Sequence, residues 1–192
     1  MSEPTPLLAP LKPLHVPPRL WRAGAFVEDS WRTIGDDEPL PIAGRAIISL
    51  KRWRADQTAL AASGVPVGAR LEPGELPEPA ADDIARLDVI ALPFPKFSDG
   101  RSYSAARRLR EGGFKGELRA IGDVLLDQLP LMLRAGFDAF EISHAATIKA
   151  LETGDVPAVT RVYQSGNEAG AAGRFSRRGR DAHPAKRTAT TG

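Results

Sequence analysis

From Ala46 to Glu152 short apolar runs alternate with helix-length runs, and this alternation restricts the possible folds more than any other feature of the chain. A strand, a helix and a second strand in succession force a crossover connection, and crossovers build a largely parallel sheet. The strand-like runs are Ala46 to Leu50, Pro66 to Leu71, Val89 to Phe94, Glu117 to Ile121 and Ala139 to Ile142. Between them, helical spacing predicts Lys51 to Ser63, closed by Gly64, and Ala81 to Arg86, beyond the Pro/Glu-rich loop Glu72 to Pro79. It continues with Ser102 to Glu111, ended by Gly112 and Gly113, Val124 to Ala135, ended by Gly136, and a stretch around Thr147 to Glu152. The expected fold is a single α/β domain of about five parallel strands, doubly wound with helices on both faces or a partial barrel. Gly24 to Ile34 reads as one or two short strands, so a short antiparallel strand or hairpin should precede the parallel part. Pro130, inside a helical run, should kink it or start a second piece.

Both ends differ from this middle. Six prolines among the first twenty residues fix φ and remove backbone donors, so residues 1–20 are expected to form a disordered arm. Residues 173–192 hold six cations against Asp181, a net of +5, which leaves the first 172 residues at −3 out of the total of +2. A basic face on the folded part is not implied, nucleic acid is not an expected partner, and residues 165–192 read as a solvated basic tail. The domain is then 21–164. With no cysteine in its 192 residues, the chain cannot hold disulfides, thiolate metal sites or cysteine-ligated iron–sulfur clusters. No cofactor is expected in the isolated chain and no metal site is assigned. Neither a bilayer-length apolar run nor a secretory h-region is present, which predicts a cytoplasmic protein without membrane contact.

Three of the strand-like runs end in polar residues, and ligands gather at the carboxyl ends of parallel strands. After Phe94 come Pro95, Lys96, Phe97, Ser98, Asp99, Gly100 and Arg101, a turn-forming loop that can present Lys96 and Arg101 to an anion beside a helix N-terminus. Equally, Asp99 can cap the turn while the two cations are solvated or paired. Arg107 and Arg110, one turn apart on the next helix, offer a cationic face or an ordinary exposed surface. Asp123 and Asp127 would share a helix face if the helix already includes Asp123, and paired carboxylates can divide acid and base roles or hold Mg²⁺; against this, Asp123 is also an ordinary cap. Asp99, Asp123 and Asp127 are therefore the catalytic candidates, and Lys96, Arg101, Arg107, Arg110 and Arg119 the candidates for binding an anion or a partner. Lys51, Arg52 and Arg54 form a second cationic strand exit that could converge on the first if the strands are neighbours. The same adjacency argument places Lys96, Arg101 and Arg119 together at the sheet's carboxyl edge, with Arg119 alternatively turned to a helix-covered face and paired with Asp123 or Asp127. Of the three histidines only His144 lies near a strand exit, and no phosphate loop, nucleophile elbow or HExxH motif is present.

The words FPKFSDGRSYSAARRLR, GELRAIGDVLLDQL and RAGFDAFE, in that order, resemble the bacterial domain-of-unknown-function family 934. They carry Phe94, Pro95, Phe97, Asp99, Gly100, Arg101, Ser104, Leu109, Arg110, Arg119, Gly122, Asp123, Asp127, Gln128, Gly136, Phe137 and Asp138 over as family positions without assigning roles. Ala135 departs from the family, where cysteine often precedes GFDAFE, as does Pro130 in a stretch usually apolar. Members are commonly encoded beside assimilatory sulfite or nitrite reductase, and some are labelled oxidoreductases without established chemistry. What the resemblance implies is an accessory protein of sulfate assimilation, binding sulfite reductase, another protein of that route, or an anionic ligand such as sulfite or sirohaem. The alternative is a stand-alone enzyme, an oxidoreductase or Mg²⁺-dependent, acting on an anionic small molecule at the same edge; a third is a structural module.

Overall fold

A computed structural model describes residues 15–75 and 84–155. Eight strands form one sheet: β1 (His15–Arg22), β2 (Ala25–Val27), β3 (Trp31–Thr33), β4 (Arg45–Ser49), β5 (Val67–Arg70), β6 (Val89–Phe94), β7 (Glu117–Gly122) and β8 (Ala139–His144). Their spatial order is β2-β1-β8-β7-β6-β5-β4-β3. From β3 to β8 every neighbouring pair is parallel, and β1 joins β8 and β2 in antiparallel register. The helices are α1 (Leu50–Ala55), α2 (Gln57–Ser63), α3 (Arg101–Glu111), α4 (Leu129–Ala135) and α5 (Ala145–Glu152).

Because the parallel strands follow one another in sequence order, right-handed crossovers bring all their helices to one face. This selects the partial barrel over the doubly wound alternative. The linker between β2 and β3 shows how far the sheet curls. Seven inter-strand spacings of about 4.8 Å would separate these two strands by roughly 34 Å on a flat sheet. Only residues 28–30 join them, a reach of about 14 Å at 3.3–3.6 Å per residue. The sheet therefore rolls into a half-barrel, bringing its edges toward each other. Alternation along each strand then sorts side chains by face. Ile90, Leu92, Phe94, Leu118, Ala120, Phe140 and Ile142 pack under the helices with Trp21, Leu109, Met132 and Phe137. On the opposite, concave face Ile47, Val89 and Ala91 form a smaller cluster with Trp31 and Ile121.

β2 and β3 fall in the stretch 24–34 read as one or two short strands, but β3 is parallel rather than antiparallel and β1 is an added strand. There are therefore eight strands, six of them parallel, where about five with a leading strand or hairpin were expected. β1 begins inside the segment read as a disordered arm; it tolerates Pro17 and Pro18 because its register with β8 shifts between His15 and Arg19, where ladder donors are not required. Residues 1–14 and the expected tail, 165–192, lie outside the described residues. The single helix expected over 51–63 is two, broken at Asp56, and only Ile84–Arg86 of the expected 81–86 helix is described, as a 3₁₀ turn. Pro130 starts a second piece: a 3₁₀ turn covers Leu126–Gln128, and α4 follows with the proline in its first turn, where the missing N–H costs nothing. Among the described residues no helix is long and apolar enough to cross a membrane.

Candidate functional site

The β6–α3 loop, residues 95–100, is held at the carboxyl edge by groups from the next strand exit. The Phe97 N–H donates to the Asp123 carboxylate at 3.0 Å, and the Gln128 side-chain amide donates to the Phe97 carbonyl. Gln128 is itself fixed, its Oε1 accepting the Leu125 N–H at 3.1 Å. Asp123 reaches its place because Gly122 passes directly over β6: a Cβ there would sit 2.5 Å from the Phe94 carbonyl oxygen, and its φ of +96° suits glycine. The Asp123 N–H then donates to that same carbonyl at 2.8 Å. Both backbone groups of Phe97 are thus satisfied by side chains, while the residue as a whole stays 59% exposed.

Further along the loop, the Asp99 carboxylate accepts the Arg101 backbone N–H at 3.1 Å and guanidinium N–H groups from Nε and Nη2 at 3.0 and 2.6 Å. The hydrogen bonds from Arg101 hold the Asp99 carboxyl down at about 2. On its far side Arg101 Nη1 lies 3.4 Å from the Pro73 carbonyl and packs over Gly74, where a Cβ would come within 2.8 Å. Gly74 and Pro73 form one wall of an open cleft of about 860 Å³, whose other wall carries Ser49, Lys51 and Arg54. The two cationic strand exits are separated by β5, and Arg101 reaches only the Pro73–Gly74 turn that walls the cleft. In that cleft Arg54 pairs with Glu75 at 3.1 Å and Glu72 with Arg70 at 3.2 Å, whereas Lys51 is exposed.

The remaining candidates lie elsewhere. Arg107 is exposed on α3. Arg110 is a clamp: it pairs with Asp138 and donates to the carbonyls of Gly136 at 3.0 Å, and of Phe114 and Gly116 at 2.9 Å. Arg119 is not near Lys96 and Arg101 as a third cation at the edge; it points into the concave face and is 1% exposed. Its guanidinium meets Asp29 at 2.7 and 3.1 Å, Glu117 at 2.9 Å and Glu141 at 3.2 Å, and Arg22 supports Glu117 at 2.9 Å. Burial opposes the charge on Arg119, but the hydrogen bonds and charges of Asp29 and Glu117 outweigh it and hold the guanidinium more firmly protonated than in water. Burial likewise raises the Glu141 carboxyl, with Arg119 pulling the other way.

Asp123 and Asp127 do not share a helix face, because the helical structure begins only at Leu126. Asp127 is exposed, and next to burial it is the second cause that raises the Tyr103 phenol. Among the described residues no group of three or more histidine or acidic side chains is placed to hold a metal. His144 stands at the start of α5, its Nδ1 3.5 Å from Thr147 Oγ1, with the His15 ring at 6.3 Å.

Sequence reasoning carried Gln128, Phe97 and Asp138 only as family positions without roles, and it is the backbone of Phe97 that is anchored. Asp29, Glu117 and Glu141 were missed. Asp29 left no signal, since its partner is 90 residues away in sequence.

The half-barrel, with polar loops gathered at its carboxyl edge, defines a single-domain α/β protein. A family model described as "Bacterial protein of unknown function (DUF934)" matches residues 68–172, more than half of the chain, and the protein belongs to that family. No curated protein matches it.

Proposed function

We propose that the chain is a non-catalytic accessory protein of assimilatory sulfite reduction, binding sulfite reductase or an anionic ligand through the carboxyl edge between β4 and α3. One observation supports this reading over the enzymatic one: two of the three carboxylates that looked catalytic, Asp99 and Asp123, are spent on holding a loop. Asp123 is engaged with the Phe97 backbone, Asp99 is locked to Arg101 and stays ionised down to about pH 2, and Asp127 stands apart from both. A general acid or base near neutrality needs a carboxyl tuned upward and within reach of its substrate. A rigid displayed loop instead suits binding, since the entropy of ordering it has been spent before the partner arrives.

The link to sulfite reduction comes from the family resemblance, and the cytoplasmic setting goes with it. Affinity purification of the full chain from sulfate-grown cells, together with a sulfite-consumption assay on the purified protein, tests the reading. Copurification of sulfite reductase without turnover is the expected result. Turnover by the isolated chain would establish the enzyme instead.

A further inference from the structure

The Arg119 guanidinium is asked to serve more carboxylates than its charge can balance. Asp29, Glu117 and Glu141 all reach it, and Arg22, through Glu117, adds the second positive charge of the cluster. With all three carboxyls ionised, three negative charges meet two positive ones; with one of them protonated, the cluster is balanced. The hydrogen bonds show where the excess falls. Arg119 Nη1 donates both to Asp29 Oδ2 at 2.7 Å and to Glu141 Oε1 at 3.2 Å, so these two compete for one nitrogen, whereas Glu117 has Nε to itself at 2.9 Å. Nor are the three equally anchored. Glu117 and Glu141 stand on β7 and β8 inside the sheet, while Asp29 stands on the exposed linker 28–30 that joins the edge strands β2 and β3 across the concave face. Other charges near Glu141 are placed elsewhere: Arg19 of β1 pairs with Glu152, His144 of β8 faces Thr147, and Glu28 beside Asp29 is exposed. β2 has no titratable side chain, and β6 brings only Val89 and Ala91 to this face.

We infer that the 28–30 linker is a proton-controlled clasp on the half-barrel. With Glu141 protonated, Arg119 holds Asp29 and the concave face is closed; with Glu141 ionised, Glu141 takes Nη1, and Asp29, the least anchored of the three, gives way. Burial raises the Glu141 carboxyl, Arg119 lowers it, and the charges of Asp29 and Glu117 raise it again, with a net shift upward from the ordinary value. Clasping is therefore complete below the ordinary carboxyl range and lost as pH rises through the raised value. Opening uncovers a guanidinium that is otherwise buried and loosens Trp31, two residues beyond Asp29, which packs against Ile47, Val89 and Ala91.

The test is exchange of the Arg119 guanidinium protons with water, followed by NMR on the full chain from about pH 4 to 8 and divided by the intrinsic guanidinium rate at each pH. Protection should fall about 3- to 10-fold as pH rises, the equivalent of one hydrogen bond, with the same midpoint as the Glu141 carboxyl carbon shift. It should stay below that of the amides of β6, a buried strand within the sheet that reports opening of the whole domain. Glu141→Gln should keep the acid-side protection at every pH, and Asp29→Asn should lose it even at the acid end. Thermal unfolding checks that both variants fold, and the wild-type series decides by itself where one does not. Protection independent of pH, a midpoint apart from that of Glu141, protection equal to that of β6 at every pH, or an unchanged slope in Glu141→Gln would overturn the inference.

Discussion

Replacing Arg119 by Met removes one guanidinium and leaves three carboxylates, Asp29, Glu117 and Glu141, around an apolar stem. Only the Arg22 contact to Glu117 at 2.9 Å then remains as compensation. Methionine keeps most of the aliphatic packing, so the loss is mainly electrostatic. Breaking a buried pair by deleting one partner costs about 3–5 kcal/mol. At about 2–4 °C per kcal/mol for a domain of this size, Tm should fall by roughly 6–20 °C. The pH dependence separates this from a packing loss. Without Arg119 the Glu141 carboxyl, already raised by burial, loses the group that lowers it and moves further up. A carboxyl whose folded pKa exceeds its unfolded value of about 4.3 costs stability as pH rises through that interval and costs none below it. The gap between wild type and Arg119→Met should therefore narrow as pH falls toward about 4. Urea unfolding followed by circular dichroism from pH 4 to 7 measures it, with Arg107→Gln as a control that should stay within about 0.5 kcal/mol. A cost under about 1 kcal/mol, or one independent of pH, would refute the ionic account of the concave face.

Glu141→Gln should remove the slope by which wild-type stability falls as pH rises between the ordinary carboxyl value and the raised one. At pH 7 it should stay within about 1 kcal/mol of wild type, because Arg119 keeps Asp29 and Glu117. Asp123→Ala and Gln128→Ala should each cost about 1 kcal/mol and speed hydrogen exchange around Phe97, read by mass spectrometry of the loop peptide. Unchanged exchange would mean that the loop is held by other contacts. Asp99 titrates at about 2, below its unfolded value, so the contribution of its contact with Arg101 is complete above the ordinary carboxyl range and lost as pH falls through about 2. Carboxyl carbon NMR should place its midpoint there, and a midpoint near 4 would show that the pair does not persist in solution.

The parallel middle of the fold was readable because strand and helix periods differ and the runs of β4 to β8 are each four to six residues long. β2 and β3, three residues each, fall in the stretch read as one or two short strands, but nothing local marks β3 as parallel to β4, and the prolines of β1 read as an arm because a register shift that tolerates them appears only once β8 lies alongside. The half-barrel could not be told from a doubly wound sheet, since the difference lies in which face each crossover takes. At the site, the loop was found but its logic was not. Asp123 looks like a helix cap in isolation, and its bond to Phe97, 26 residues away, follows only from β6 and β7 being adjacent. Arg119 sits between Leu118 and Ala120 as any outward polar residue of an alternating strand would, and nothing local marks that face as closed by Asp29.

The most direct measurement of the accessory reading is calorimetric titration of the purified full chain into sulfite reductase over a range of salt concentrations, with free sulfite titrated separately. Saturable, salt-weakened binding to the reductase or to sulfite, reduced by Lys96→Gln with Arg101→Gln at nearly unchanged thermal stability, is the predicted result. Consumption of sulfite by the isolated chain, or no binding to either at any salt concentration, would contradict it.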